Sequence, residues 1–278
     1  MAIAPLPPFI DAATAVQLLT SNTNVVVCDC RAYLDDRNGI DAYRAGHIPG
    51  ARFVDLETLV SSIPQPGSGG GRHPLPSPEA FAADLGELGI GHDNTVLAYD
   101  DVGGAIAARF VWMLRVLGQP AAIVDGGVQA WDGELESGDI DVAPVEHPVR
   151  PFPADAMANA DQVGAVLAAG GLVADSRGAA RYAGETEPID AIAGHIPNAI
   201  NLPFADNLAD GALKVSDEVS KRFADAGVDA DTIFYCGSGV TACHNILAAE
   251  LVGLGRPKLY VGSWSGWIDR PNPPVATS

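Results

Sequence analysis

Residues 45–51 read AGHIPGA and residues 193–199 read AGHIPNA, so the chain carries the same motif twice. Three further pairs of similar segments occur in the same order: VVVCDCR at 25–31 with GLVADSR at 171–177, TVLAYD at 95–100 with TIFYCG at 232–237, and VDGGVQAW at 124–131 with YVGSWSGW at 260–267. Members of a pair lie 136 to 148 residues apart. A repeat of this length indicates two homologous domains in tandem.

The spacing of the pairs and the composition between them predict the domain boundary. The separation falls from 148 residues at the two histidines to 136 at the later pairs, so the first copy holds 12 extra residues, which we assign to the Gly/Pro-rich stretch 61–78. Residues 134–156 lack periodicity and are rich in proline and acidic residues, as linkers are. We predict a first domain over residues 1–146 and a second over residues 155–278.

Short β-branched apolar runs alternate with helical stretches in both copies. The predicted strands are 24–28, 95–99, 122–124, 172–174, 232–235 and 259–261. The longest helical patterns are 105–117 and 240–254, where apolar residues recur every three or four positions. This alternation predicts the α/β class, with a mainly parallel sheet flanked by helices in each domain.

Composition and charge exclude several classes of partner. The chain has 278 residues, 47% of them hydrophobic, which is typical of a globular protein. Its 35 acidic and 16 basic residues give a formal charge of -19, which repels phosphate backbones and anionic lipids, so we expect neither nucleic acid nor membrane as a partner. The amino-terminal MAIAPLPPFIDAATAV lacks the basic segment of a signal peptide, and a cytoplasmic location is expected.

The four cysteines are unevenly spaced and none forms C-x-x-C, so free thiols are expected rather than a disulfide framework. No histidine or second cysteine pair lies at zinc-ligand spacing, and we expect no metal site. Cys28, Cys30 and Cys243 fall in apolar strand and helix patterns, which favours buried core thiols. Cys236 lies in a different setting.

Cys236 follows directly on the predicted strand 232–235 and begins the turn CGSGVTA, after which a helix is predicted. In parallel sheets, ligands bind where the carboxyl ends of strands face the starts of helices. Gly237 and Gly239 let the amide N–H groups of a tight turn point inward as an anion-binding nest. We therefore expect Cys236 to react as a thiolate nucleophile near neutral pH.

Together these motifs resemble the two-domain rhodanese-type sulfurtransferases. The similarity covers nearly the whole chain: D-x-R after the first central strand of each copy, both G-H-I-P motifs, E-P before the second of them, C-G-S-G-V-T-A, and G-S-W near the end. The loop C-G-S-G-V-T is similar to the 3-mercaptopyruvate branch, whereas thiosulfate-preferring members usually carry Arg and Lys after the cysteine. The resemblance implies two tandem rhodanese-like domains. It also implies sulfur transfer from 3-mercaptopyruvate or thiosulfate to a thiol or cyanide acceptor, through a persulfide on Cys236 and with no cofactor.

The resemblance further implies which residues bind the small anionic donor. The amide groups of five loop residues would cradle the sulfur and the donor anion: Gly237, Ser238, Gly239, Val240 and Thr241. The hydroxyls of Ser238 and Thr241 would assist. Arg181 matches the family arginine that holds the donor carboxylate or sulfonate, a role that suits a fork-shaped guanidinium. His73, in GRHPLP, matches a first-domain histidine that reaches the interdomain cleft in mercaptopyruvate enzymes.

The chain departs from the mercaptopyruvate pattern at one position. Those enzymes usually have a second arginine after E-P, but here Glu187 and Pro188 are followed by Ile189 and Asp190. The loop therefore favours 3-mercaptopyruvate, while the missing arginine leaves thiosulfate or another sulfane donor open.

The first copy is expected to be catalytically degenerate. By the repeat offsets, Asp100 takes the position of Cys236 and Asp35 that of Arg181. Two carboxylates cannot hold an anionic sulfur donor, so we predict a structural first domain. One arginine and one histidine occur at equivalent positions in both copies and are interpreted as supports of the fold. They are Arg31 and His47 in the first copy, and Arg177 and His195 in the second.

Two other functions fit parts of the pattern. A cysteine phosphatase needs an arginine six residues after the cysteine, and Ala242 at that position disfavours it. A non-catalytic persulfide carrier or sulfane-sulfur sensor would have the same loop, but Arg181 favours a small anionic donor and hence an enzyme. The physiological donor and acceptor stay open, as does the oligomeric state, for which a monomer fits the sequence.

Overall fold

The computed structural model describes residues 6–278, which form two compact units. Residues 1–5, part of the predicted first domain and of the segment read for a signal peptide, lie outside the described residues. The first unit runs to Ser61 and includes Pro76–Phe152 and Gly211–Leu213. The second comprises Ser62–Leu75, Pro153–Asp210 and Lys214–Ser278. The Gly/Pro-rich stretch, predicted as a loop of the first domain, therefore belongs largely to the second unit.

The first unit contains a five-stranded sheet in which every strand pair is parallel, in the order β1-β5-β4-β2-β3. Its elements, in chain order, are β1 (Phe9–Ile10), α1 (Ala12–Ser21), β2 (Val25–Asp29), α2 (Gly39–Ala45), β3 (Arg52–Phe53), α3 (Pro78–Glu87), β4 (Thr95–Tyr99), α4 (Ala107–Val116), β5 (Ala121–Val124) and a 3₁₀ turn at Gly127–Ala130.

The second unit repeats this topology, with a parallel five-stranded sheet in the order β6-β12-β11-β7-β8. The elements from residue 154 onward are a 3₁₀ turn at Ala154–Ala156, β6 (Met157–Ala158), α5 (Ala160–Ala168), β7 (Val173–Asp175), α6 (Ala179–Ala183), β8 (Ile200–Asn201), a 3₁₀ turn at Phe204–Asn207, β9 (Leu208–Ala209), β10 (Ala212–Leu213), α7 (Ser216–Asp225), β11 (Ile233–Tyr235), α8 (Ala242–Leu251), β12 (Lys258–Tyr260) and α9 (Ser263–Ile268). The predicted α/β class, with parallel sheets and a duplicated fold, is confirmed.

The six predicted strands are present, with ends shifted by a residue or so. The helices at the two longest helical patterns are shorter than those patterns, because α4 begins at Ala107 and α8 at Ala242, after turns that follow the strands. The edge strands β1, β3, β6 and β8 have two residues each and were not predicted, since two residues carry no periodicity. Every helix in residues 6–278 is too short or too polar to cross a bilayer.

The recurring arginines form buried ion pairs inside their own units. The Arg31 guanidinium donates to the Asp29 carboxylate and to the Gly46 carbonyl, with Nη2 2.6 Å from Asp29 Oδ2. Arg177 repeats this arrangement with Asp175, also at 2.6 Å. Each pair joins a strand end to the following G-H-I-P turn, as the fold-supporting interpretation predicts.

The recurring histidines are also held locally. His47 Nδ1 lies 2.9 Å from the Tyr43 carbonyl oxygen, and the two rings stack with centroids 4.1 Å apart. His195 repeats the contact with Tyr182 at 2.8 Å and a ring separation of 3.7 Å. Both histidines therefore support their turns.

The turn after β4 encloses the carboxylate of its own residue Asp100. The fully buried Asp100 carboxylate accepts hydrogen bonds from four amide N–H groups of its own turn: those of Val102, Gly104, Ile106 and Ala107, at 2.8 to 3.0 Å. Burial raises the pKa of Asp100, and the four amide hydrogen bonds oppose that shift. The amide nest of the first unit thus already holds an anion.

We expect Asp100→Asn to destabilise the first unit by about 2–4 kcal/mol, because one carbonyl oxygen cannot accept four bonds and the new amide group faces N–H donors. Urea unfolding monitored by circular dichroism measures this loss. Asp36→Asn, at an exposed carboxylate of the same unit, is the control and should be close to neutral. Equal stabilities of the two variants would contradict the role assigned to the nest.

Candidate active site

Cys236 lies at the carboxyl end of β11, in a turn that ends where α8 begins. Its side chain is buried, with the whole residue 2% exposed. Gly239 has a φ of 79°, a left-handed conformation that glycine adopts without strain. This conformation turns the Gly239 N–H group toward the cysteine, and the amide nitrogen lies 3.1 Å from Cys236 Sγ.

The other three cysteines are buried, as predicted, and lie in different surroundings. Burial raises the pKa of Cys28 to about 12 and the pKa of Cys30 well above its usual value. The Cys243 thiol, on α8, lies 3.4 Å from the Gly239 carbonyl oxygen. The Cys236 sulfur, by contrast, receives an amide hydrogen bond from the strand-to-helix turn.

The start of α9 holds the backbone of Cys236. The Cys236 N–H group donates to Ser263 Oγ at 3.1 Å, and that hydroxyl donates to the Tyr260 carbonyl at 3.0 Å. The backbone N–H group of Trp264 donates to the Cys236 carbonyl at 2.9 Å. Ser263 is buried and has a φ of 51°. Sequence reasoning missed this residue, although it lies in the G-S-W motif that was recognised.

The glycine-rich stretch packs closely on the same element. Gly71 has a φ of 73°, and a Cβ atom there would overlap the Gly262 carbonyl oxygen. The next residue, Arg72, donates its N–H group to Ser265 Oγ at 2.9 Å. Only glycine permits this approach, which seats Arg72 and His73 beside the cysteine turn.

His73 contacts the second residue after the cysteine. Its Nδ1 atom lies 2.8 Å from Ser238 Oγ, and the two residues are 5% and 7% exposed. The contact fixes the orientation of the Ser238 side chain. A histidine and a hydroxyl at this distance can pass a proton between them.

Arg181, on α6, lies beside the first residue after the cysteine. A Cβ atom on Gly237 would be 3.6 Å from both terminal nitrogens of Arg181. Its guanidinium donates to Glu187 Oε1 at 2.6 Å and to Asp190 Oδ2 at 3.1 Å. Burial raises the pKa of Glu187, but hydrogen bonds from Arg181 and from two amides outweigh it, so that this pKa is lowered overall.

Arg72, from another part of the chain, also lies beside Gly237 and was not predicted. Its Nη2 atom lies 3.3 Å from the Cβ position of Gly237, and its Nη1 atom donates to Asp190 Oδ1 at 2.6 Å. The stretch that carries Arg72 has no counterpart in the second copy, so the repeat gave no signal for it.

All the predicted site residues therefore lie together. Gly237–Thr241 form the turn after Cys236, His73 contacts Ser238, and Arg181 flanks Gly237. Val240 is buried, and Thr241 is the partly exposed residue before α8. Among residues 6–278, no three His, Cys, Asp or Glu side chains are grouped so as to hold a metal ion. The arrangement presents a sulfur nucleophile beside amide N–H groups and guanidinium cations, which suits an anionic substrate.

Comparison with known proteins gives the same pattern. The family model described as the rhodanese-like domain matches residues 11–134 and 155–270. A probable 3-mercaptopyruvate sulfurtransferase of Pseudomonas aeruginosa is 42% identical, with 95% of this chain and 97% of that protein covered. A putative thiosulfate sulfurtransferase of Mycobacterium tuberculosis is 38% identical, with 96% and 95% covered.

Among solved structures, this chain is similar to SseA from Escherichia coli, which is described with the rhodanese fold and the catalytic mechanism of 3-mercaptopyruvate sulfotransferases. The TM-score is 0.81 at 33% sequence identity, and the match covers 93% of this chain and 99% of SseA. Both the fold and the two-copy architecture are therefore shared over the full length of that protein.

We expect Ser263→Ala to destabilise the second unit by about 1–3 kcal/mol, because the buried Cys236 N–H group loses its acceptor. Urea unfolding again measures the change. Ser61→Ala is the matched control, since the buried Ser61 hydroxyl has no hydrogen-bond partner among the described residues. If both variants lost the same stability, the anchor at Ser263 would be rejected.

Proposed function

This chain belongs to the rhodanese family, and from that premise we propose that it is a 3-mercaptopyruvate sulfurtransferase in which Cys236 carries the sulfur. The observation that carries the proposal is the contact between the Gly239 amide and the Cys236 sulfur, next to two guanidinium groups. A negative sulfur and an anionic donor are both stabilised at such a place.

The first half-reaction loads the cysteine. The Cys236 thiolate attacks the sulfur of 3-mercaptopyruvate and forms an S–S bond, while the donor C–S bond breaks and its electron pair passes to the donor's methylene carbon. The resulting enolate takes up the proton of the donor thiol and leaves as pyruvate. Cys236 remains as a persulfide, whose terminal sulfur carries the negative charge.

The turn amides stabilise charge on sulfur throughout this step. They are oriented before the donor arrives, so they need no reorganisation as charge develops. The Gly239 N–H group donates to the attacking sulfur in the free protein. The donor is held by the amides from Gly237 to Thr241, with the hydroxyls of Ser238 and Thr241 assisting.

Ser238 and His73 provide the path for the proton. The imidazole is 2.8 Å from the Ser238 hydroxyl, so the proton of the donor thiol can pass through both side chains. The hydroxyl protonates the enolate carbon and is reprotonated by the histidine, which takes up the thiol proton. Arg181 holds the carboxylate of the donor, for which a guanidinium has the matching geometry.

The second half-reaction returns the thiolate. A thiol or cyanide acceptor attacks the terminal sulfur, the S–S bond breaks, and Cys236 keeps the electron pair. This ping-pong scheme needs neither a metal nor an organic cofactor. Turnover with a small acceptor is what separates an enzyme from a protein that only carries or senses persulfide sulfur.

The donor is assigned from the loop and the relatives. The neutral residues after Cys236 and the probable 3-mercaptopyruvate sulfurtransferase of Pseudomonas aeruginosa both favour 3-mercaptopyruvate. The 38% identical relative from Mycobacterium tuberculosis carries a thiosulfate name, so thiosulfate is the second candidate donor. Arg181 suits the anionic end of either molecule.

We assign different roles to the two domains. The first domain, residues 1–146, is structural because Asp100 occupies its own amide nest, and the catalytic domain spans residues 155–278 together with the contribution of the glycine-rich stretch. We place the protein in the cytoplasm, where it acts on small molecules.

We expect Cys236→Ser to abolish transfer of sulfur from 3-mercaptopyruvate to cyanide, measured as thiocyanate formed. Mass spectrometry of the wild-type protein, incubated with donor alone, should show one added sulfur on the peptide that contains Cys236. Cys243→Ser, at a buried thiol on α8, is the control and should keep both signals. Transfer by the Cys236 variant at the wild-type rate would reject the proposal.

We expect Arg181→Ala to raise KM for 3-mercaptopyruvate by roughly 10- to 100-fold, because a charge-assisted hydrogen bond to the donor is lost. Steady-state kinetics with 3-mercaptopyruvate and with thiosulfate measures KM and the donor preference together. An unchanged KM for both donors would show that Arg181 only supports the fold.

A further inference from the structure

We propose that Arg72 is a second donor-binding guanidinium, which acts with Arg181 on the anionic end of the sulfur donor. The inference rests on the proposed function, because it takes Cys236 as the sulfur carrier. It adds a specificity-determining residue that the sequence pattern did not indicate, on a stretch that has no counterpart in the other copy.

Both guanidinium groups converge on one point beside the nucleophile. The position of a Cβ atom on Gly237 is 3.3 Å from Arg72 Nη2 and 3.6 Å from both terminal nitrogens of Arg181. Gly237 is the residue directly after Cys236. An anion bound over this glycine would therefore meet two cations beside the residue that follows the reactive cysteine.

A single carboxylate holds the two cations in place. Asp190 accepts from Arg72 Nη1 through Oδ1 at 2.6 Å and from Arg181 Nη2 through Oδ2 at 3.1 Å. Its side chain is only 4% exposed, so the bridge is shielded from water. The shared carboxylate offsets the repulsion between two guanidinium groups that would otherwise move apart.

Each arginine keeps one terminal nitrogen for a ligand. Among the described residues, neither Arg72 Nη2 nor Arg181 Nη1 makes a hydrogen bond within the protein. The side chains of Arg72 and Arg181 are 30% and 20% exposed, so a small molecule can reach them. Two N–H donors from separate segments match the two oxygens of a carboxylate.

Arg72 is not an ordinary surface arginine. Its backbone is fixed by the hydrogen bond to Ser265 and by the close packing of Gly71 on Gly262. The arrangement also accounts for the missing arginine at Ile189. The chain has no cation at that position, but Asp190 beside it recruits the guanidinium of Arg72.

The test is the effect of Arg72→Ala on each half-reaction. In a ping-pong scheme, kcat/KM for the donor reports only the loading of Cys236, and kcat/KM for cyanide reports only its unloading. We expect Arg72→Ala to lower kcat/KM for 3-mercaptopyruvate by roughly 10- to 100-fold and to leave kcat/KM for cyanide unchanged. Arg72→Lys should recover part of the loss, because it restores the charge but not the fork.

Arg256→Ala is the matched control. Arg256 is also paired with a carboxylate, Glu250, at 2.9 Å. It precedes β12 and so lies at the amino ends of the parallel strands, the edge opposite to Cys236. This variant should keep both kinetic constants and shows what the loss of one positive charge does by itself.

Two kinetic outcomes would overturn the proposal. An unchanged kcat/KM for 3-mercaptopyruvate in Arg72→Ala would show that Arg72 does not contact the donor. Equal losses in both half-reactions would show that Arg72 supports the fold instead.

Failure of the proposed function is recognised separately, as the absence of Cys236-dependent turnover in the wild type. In that case calorimetry decides the role of Arg72, with 3-mercaptopyruvate added to Cys236→Ser and to the same protein carrying Arg72→Ala. Binding weakened by Arg72→Ala supports the clamp, and equal binding rejects it.

Discussion

The turn between a central strand and its helix leaves amide N–H groups that need a negative partner, and the two units satisfy this need differently. In the first unit the Asp100 carboxylate accepts four of these hydrogen bonds and closes the nest. In the second the cysteine sulfur accepts a hydrogen bond from the Gly239 amide. The equivalent turn therefore stabilises the fold in the first copy and, in the proposed function, binds the donor in the second.

Charge around the cysteine is balanced rather than simply positive. Three arginines are paired with three carboxylates there: Arg72, Arg177 and Arg181 with Asp175, Glu187 and Asp190. In a protein of formal charge -19, anionic donors are repelled at long range, so recognition depends on oriented N–H groups at short range. The carboxylates set those orientations, and this is why an acidic residue beside Ile189 can serve a site for anions.

The repeated motifs predicted the fold, whereas the site residues came from other signals or were missed. The duplication and the alternation of strands and helices predict the two parallel sheets, and the turn after strand 232–235 predicts Cys236 as the nucleophile from local physics alone. Arg181 and His73 came from a resemblance, because no periodicity tells where a loop packs. Arg72 was missed because its position depends on a contact with a residue about 190 positions later in the chain. Ser263 was missed because its role depends on a backbone conformation with a φ of 51°.

The packing of Gly71 on Gly262 has a consequence for the order in which the protein is made. The ribosome releases Arg72 and His73 about 190 residues before the helix that seats them, an interval of roughly 10–40 s at ordinary rates of synthesis. Until that helix emerges, neither Ser263 nor Ser265 is present to hold the cysteine turn or the glycine-rich stretch. A nascent or carboxyl-terminally truncated chain can therefore carry the nucleophile but not the complete site, so that reactivity toward sulfur donors arises only in the finished protein.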